Sequence, residues 1–97
     1  MQQITQEQIQ AWKKEHGKVF ELKAKDKVAY IRKPDFNEVS FATAESINSP
    51  LNFPKEILTQ CWLGGDEIIK TDVGYIMGIS TAIDKIVEAV EFEIKEV

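Results

Sequence analysis

Tyr-Ile-Arg-Lys-Pro-Asp-Phe-Asn-Glu-Val-Ser-Phe-Ala, residues 30–42, decides how the chain is read. Tyr30 and Ile31 close a short apolar run rich in strand formers, and Arg32-Lys33 ends it. Pro34 has no N–H to give to a ladder, so the strand stops there. Asp35 and Glu38 stand at capping-box spacing, where each side chain accepts from the other's backbone N–H. A helix therefore starts at once and runs to about Glu45, with Phe36, Val39, Phe41 and Ala42 as its apolar contacts. A strand, a stop and a capped helix in so short a stretch point to an α+β domain.

Upstream, residues 18–24 alternate, with Phe20, Leu22 and Ala24 on one side. Residues 28–32 form a second strand, and Lys25-Asp26-Lys27 between them is a tight polar turn, which predicts an antiparallel hairpin. A lone hairpin is marginal in water, so a third strand or a covering helix is needed. Before it, Thr5 and Gln8 form another capping box, and Ile4 and Ile9 stand at the ends of a hydrophobic staple. This predicts a helix over residues 5–16, with Gly17 just past its end. Ile9 and Trp12, with His16 at the margin, make a narrow stripe, so this helix lies on the surface of the core.

Downstream, residues 46–49 are a polar linker. Pro50 and Pro54 bracket a helix entry, with Ser49 or Asn52 as cap. Ile57, Leu58, Cys61 and Trp62 then share one helical face, and Gly64-Gly65 stops the helix. Residues 66–70 read equally as a short third strand or a loop. Past Thr71 or Asp72 as cap, Ile76, Ile79, Ile83, Ile86, Val90, Ile94 and Val97 recur at steps of three or four. This is the strongest periodicity in the chain and predicts a long helix from about Asp72 to about Lys95, with a break allowed near residues 78–80. The expected architecture is a single domain over residues 1–97. It has a small antiparallel hairpin or three-stranded sheet packed with four to five helices, and the longest helix is C-terminal.

The totals agree with one globular domain: 97 residues, 43% hydrophobic and 29% charged. A net charge of −4 disfavours nonspecific nucleic-acid binding, which needs a basic face. The single cysteine, Cys61, rules out an intramolecular disulfide. The start of the chain lacks the basic and apolar regions of a signal peptide, and the longest apolar stretch, residues 73–83, is too short to span a bilayer. The expected location is the cytoplasm.

Residues with chemical potential are few. Cys61 and His16 are the only thiol and the only imidazole, and a nucleophilic pair needs them adjacent with an orienting third group. A buried structural thiol is the more ordinary reading. Gly64-Gly65-Asp66-Glu67 lacks the Lys and Ser/Thr of a phosphate loop and the alternating oxygens of a calcium loop, so a helix stop and acidic turn are expected. Gly74, Gly78 and Ala82, four apart, are read chiefly as tight packing on the domain's own helices, with a partner helix as the minority reading. Glu88, Glu91, Glu93 and Glu96 oppose the macrodipole of the last helix, so its end needs cover. The stripe at Val90, Ile94 and Val97 is therefore expected to extend past the core and dock on a partner. Nothing converges as a catalytic set; no enzyme, cofactor or metal is expected.

Several stretches together resemble the tail assembly chaperone family of tailed phages and prophages. They are the Trp-bearing helix at Ile9-Gln10-Ala11-Trp12-Lys13, the strand end from Tyr30 to Pro34, and the helix segment from Glu38 to Ala42. Cys61-Trp62-Leu63-Gly64-Gly65-Asp66-Glu67 and a final helix rich in Ile, Val and Glu complete the set. The similarity covers nearly the whole chain and departs at residues 48–53. It implies a protein that coats the tape measure protein before the tail tube polymerises around it, with other tail proteins as further partners and a homo-oligomer allowed. The candidate partner-binding residues are Arg32, Lys33, Trp62, Val90, Ile94 and Val97. A small protein-binding adaptor or regulatory module, from a different class, is the alternative.

Overall fold

The computed structural model describes residues 4–87 and 90–97. Its first element is α1, Gln6–His16, capped as the spacing predicts. Thr5 Oγ1 accepts from the Gln8 N–H at 3.2 Å, and Gln8 Oε1 accepts from the Thr5 N–H at 2.9 Å. Gly17 ends the helix at φ +83, where a side chain would be strained.

The hairpin follows as β1, Val19–Ala24, and β2, Lys27–Arg32, in antiparallel register from Ala24 opposite Lys27 to Val19 opposite Arg32. The turn is only Lys25-Asp26, and Lys25 takes φ +57 to close it. After Pro34, α2 spans Phe36–Glu45, with Asp35 and Glu38 forming the expected capping box.

The third strand is not where residues 66–70 allowed one. It is β3, Trp62–Gly65, which pairs antiparallel with β2 and gives the sheet order β1-β2-β3. The preceding helix, α3, is Asn52–Cys61 and stops one residue short of Trp62, which is extended. Residues expected as strand or loop form instead one helical turn, α4, Ile68–Thr71. The glycine pair explains the difference. A Cβ on Gly65 would lie 2.5 Å from both Ala29 Cα and the Val28 carbonyl oxygen, so only glycine lets this strand approach β2 so closely. On Gly64 a Cβ would sit 3.1 Å from the Trp12 ring, which lies over that position. Asp66 then closes the ladder from its end. Its N–H donates to the Val28 carbonyl at 2.9 Å, and its Oδ2 accepts from the Val28 N–H at 3.0 Å. A bulge falls at Leu63, because Tyr30 pairs with Gly64 while Ile31 pairs with Trp62.

The sheet alternation sorts its two faces. Tyr30 faces α1, where its ring meets Trp12 at 5.8 Å between centroids. Ile31, on the other face, joins Ala42 of α2, Ile57, Leu58 and Cys61 of α3, and two later isoleucines in one core. The expected cap of α3 is corrected: neither Ser49 nor Asn52 caps it, and Leu51 stands at that position without a side-chain bond. Asn52 Nδ2 donates instead to the Glu45 carbonyl at 3.1 Å, tying the start of α3 to the end of α2.

The long C-terminal helix is replaced by two short ones, α5, Val73–Ser80, and α6, Ile83–Val87. Asp72 caps α5 by accepting from the Gly74 N–H at 3.0 Å. Its end has a local cause. Ser80 Oγ donates to the Met77 carbonyl at 2.7 Å and Thr81 Oγ1 to the Gly78 carbonyl at 2.9 Å, so hydroxyls take up the last turn's carbonyls. The isoleucine stripe still works across this break: Ile76 and Ile86 are buried, and Ile79 and Ile83 pack against them. Beyond it the expectation fails. Residues 90–97 are neither helix nor strand and are exposed, while the part of the expected helix at residues 88 and 89 lies outside the described residues. Glu91, Glu93 and Glu96 would oppose a helix dipole there, and Val90, Ile94 and Val97 are exposed, so burial does not offset that. Among the described residues no helix is long and apolar enough to cross a membrane.

Candidate protein-binding surfaces

Arg32, at the end of β2, points inward across the joint between the strand and two helices. Its guanidinium grips Glu38 with both forks, Nη1 donating to Oε1 at 2.8 Å and Nη2 to Oε2. Nη2 also donates to the Gln60 carbonyl at 3.1 Å, near the end of α3. Glu38 accepts in turn from the Asp35 N–H at 2.9 Å and from the Cys61 thiol at 3.7 Å. One carboxylate thus completes the capping box of α2, pairs with β2 and touches α3. The hydrogen bonds from Arg32 hold Glu38 at about 2, well below the usual carboxylate range, against the opposing effect of burial. Arg32 is shifted upward by the same bonds. Burial, seconded by the Glu38 charge, pushes the Cys61 thiol up to about 12. At neutral pH Cys61 is therefore a protonated thiol in the core, and its polar neighbours are Glu38 and Arg32. Sequence reasoning missed this triad because it is assembled by tertiary contact. The one available signal was an arginine and a glutamate flanking a proline stop.

The other residues singled out from the sequence lie apart from one another. Lys33 is exposed, and its N–H donates to the Lys18 carbonyl at 3.3 Å. Trp62 is half-buried, with Lys70 Nζ 4.6 Å above its ring. Lys70 also pairs with Glu67 at 3.1 Å. Val90, Ile94 and Val97 project from residues 90–97 and are exposed, Val90 at 75% and Ile94 at 96%.

A further surface lies on α2. Phe36 is 84% exposed and Ile47, in the turn after the helix, 85%. Both were expected either in the core or in a polar linker. Positions 36, 40, 43 and 47 follow helical spacing, so the two large side chains bracket Ser40 and Thr43 on one side of α2. Thr43 Oγ1 donates to the Val39 carbonyl at 2.8 Å and Ser46 Oγ to the Thr43 carbonyl at 2.6 Å. With these hydroxyls turned to their own backbone, the carbon atoms of the floor face outward. The result is a shallow apolar saddle of about 540 Å3 between two exposed large side chains.

A deeper groove of about 580 Å3 runs between β1 and α5, bordered by Leu22, Lys23, Ala24, Tyr75, Gly78 and Ile79. Gly78 does not serve tight packing within the domain, since a Cβ there would meet nothing within 4 Å. Gly74 would meet only its own cap, Asp72 Oδ2 at 3.0 Å. Gly74 and Gly78 thus meet no other helix among the described residues. Among the described residues no group of three His, Cys, Asp or Glu side chains is placed to hold a metal ion.

Comparison with known protein families, curated proteins and solved structures finds no match to this chain.

Proposed function

We propose that this chain is a non-enzymatic protein-binding domain that acts as a tail assembly chaperone, holding the tape measure protein during phage or prophage tail assembly. The exposed saddle on α2 is the observation that carries the binding role. Phe36 and Ile47 leave large apolar surface in water at a cost of about 1.5–3 kcal/mol each relative to burial. They are spaced about three helical turns apart, a span of roughly 16 Å. A ridge of an apolar helix fits between them over the small floor residues, in the helix-in-groove mode. Covering such helices keeps them from aggregating before the tube forms around them. The resemblance of the Trp12, Arg32-Lys33-Pro34 and Cys61-to-Glu67 stretches to tail assembly chaperones supplies the identity of the client. Lys33 and Trp62 offer further contact surface for protein partners.

The test is co-expression with the phage's tape measure protein. The chaperone reading predicts that the tape measure stays soluble and co-purifies, and that Phe36→Ser/Ile47→Ser abolishes both while the variant stays folded. A tape measure equally insoluble with and without this chain contradicts it.

A further inference from the structure

We propose that residues 90–97 of one copy add as a strand to the outer edge of β1 in a second copy, with their apolar side chains entering the groove between β1 and α5. The sheet order leaves β1 at an edge, bonded on one side to β2 and to no other strand among the described residues. Such an edge is a template for another strand. The groove lies along that edge, so an added strand would rest one face on Gly78, Ile79 and Tyr75 of α5.

The C-terminal segment has the pattern that this site asks for. Val90, Phe92 and Ile94 alternate with Glu91, Glu93 and Lys95. At strand spacing all three apolar side chains fall on one face and the charges on the other. At helical spacing Phe92 would stand among the glutamates. All three are at least 75% exposed, so this copy's own body does not cover them. Length fits as well: the six residues of β1 present an edge of roughly 20 Å, and five to six residues of the segment span it.

Charge favours the same pairing. Residues 18–27 carry four lysines against Glu21 and Asp26, whereas residues 90–97 carry three glutamates against Lys95. Two copies of the segment side by side would repel each other; segment on β1 attracts. The occupant is thus the tail of a second copy, and exchange of tails in both directions gives a closed two-fold dimer. The α2 saddle shares no lining residue with this groove, so the dimer stands or falls independently of the chaperone reading.

Sedimentation equilibrium of the full chain tests it. The wild type is expected to dimerise with concentration. Phe92→Glu/Ile94→Glu and Gly78→Glu, each full-length, should weaken dimerisation by about tenfold or more, because charge replaces apolar contact in the groove. Each variant alone should then be largely monomeric. An equimolar mixture should regain dimer, since one intact tail and one intact groove remain in the mixed pair. Phe36→Ser/Ile47→Ser should leave dimerisation unchanged. A wild type that stays monomeric overturns the proposal, as does a dimer indifferent to both groove and tail variants. A monomer whose β1 amides lose hydrogen-exchange protection in the tail variant also overturns it, because the tail would then occupy its own groove.

Discussion

Residues 30–38 and residues 90–97 are both short, and both mix large apolar side chains with charges, yet they end in opposite states. In the first, Ile31 is fully buried and Arg32 and Glu38 lock together in a half-buried joint. In the second, Val90, Phe92, Ile94 and Val97 are all exposed, and the segment has no helix or strand. The difference is punctuation. Pro34 and Asp35 fix where one element ends and the next begins, and this sets Glu38 within reach of Arg32. No proline, glycine or capping residue marks residues 90–97, so their pattern satisfies helical spacing at Val90, Ile94 and Val97 and strand spacing at Val90, Phe92 and Ile94. A segment whose apolar residues suit two periods is settled by what it packs against, and here its large apolar side chains are left exposed.

The contrast can be broken first at Glu38. Glu38→Ala removes the reciprocal half of the α2 capping box, the bond from the Asp35 N–H, and leaves Arg32 partly buried without its carboxylate. The expected loss is about 3 kcal/mol, read from the urea midpoint. A loss under about 1 kcal/mol would mean that the joint is ornamental. The third strand offers the next largest effect. Gly65→Ala drives a Cβ into the β2 backbone from φ +130, and about 2–3 kcal/mol should be lost by the same measurement.

Acid titration separates the two regions more gently. Glu38 is held at about 2 in the folded protein against an ordinary value of 4.5, so the folded state keeps its carboxylate charged where the unfolded chain would protonate it. That stabilisation is complete above pH 4.5 and disappears as pH falls through 4.5 toward 2. It amounts to about 1–2 kcal/mol once partial solvent screening is allowed for. Glu38→Ala should show a flatter stability profile over that window. The smallest effect belongs to the other region. Phe92→Ser/Ile94→Ser should change the stability of dilute protein by less than about 0.5 kcal/mol, because neither side chain is buried.

Much of the first half was legible because its signals are local. The capping boxes at Thr5/Gln8 and Asp35/Glu38, the turn at Lys25-Asp26 and the stop at Pro34 each act within a few residues. What was not legible depends on distant partners. Trp62-Leu63-Gly64-Gly65 is too short and too glycine-rich to read as a strand, and it becomes one because Ala29 and Val28 accept it closely and Trp12 covers Gly64. The exposure of Phe36 was hidden for the opposite reason: an aromatic at the first turn of a helix normally signals core. Of the expected contact residues, Lys33, Val90, Ile94 and Val97 are exposed and Trp62 is half exposed, whereas Arg32 is engaged inside the joint. The saddle and the β1 groove were not foreseen, because each needs tertiary placement to exist.

Native-state hydrogen exchange on dilute, monomeric protein measures the division between the core and residues 90–97 directly. Amides of Ala29, Ile31 and Leu58 should exchange only through global unfolding, sharing one opening free energy, while amides of residues 91–96 should exchange at nearly the rate of an unstructured peptide. Protection of residues 91–96 equal to that of the core, at a concentration where only monomer is present, would contradict the division into a packed body and a segment left for another chain.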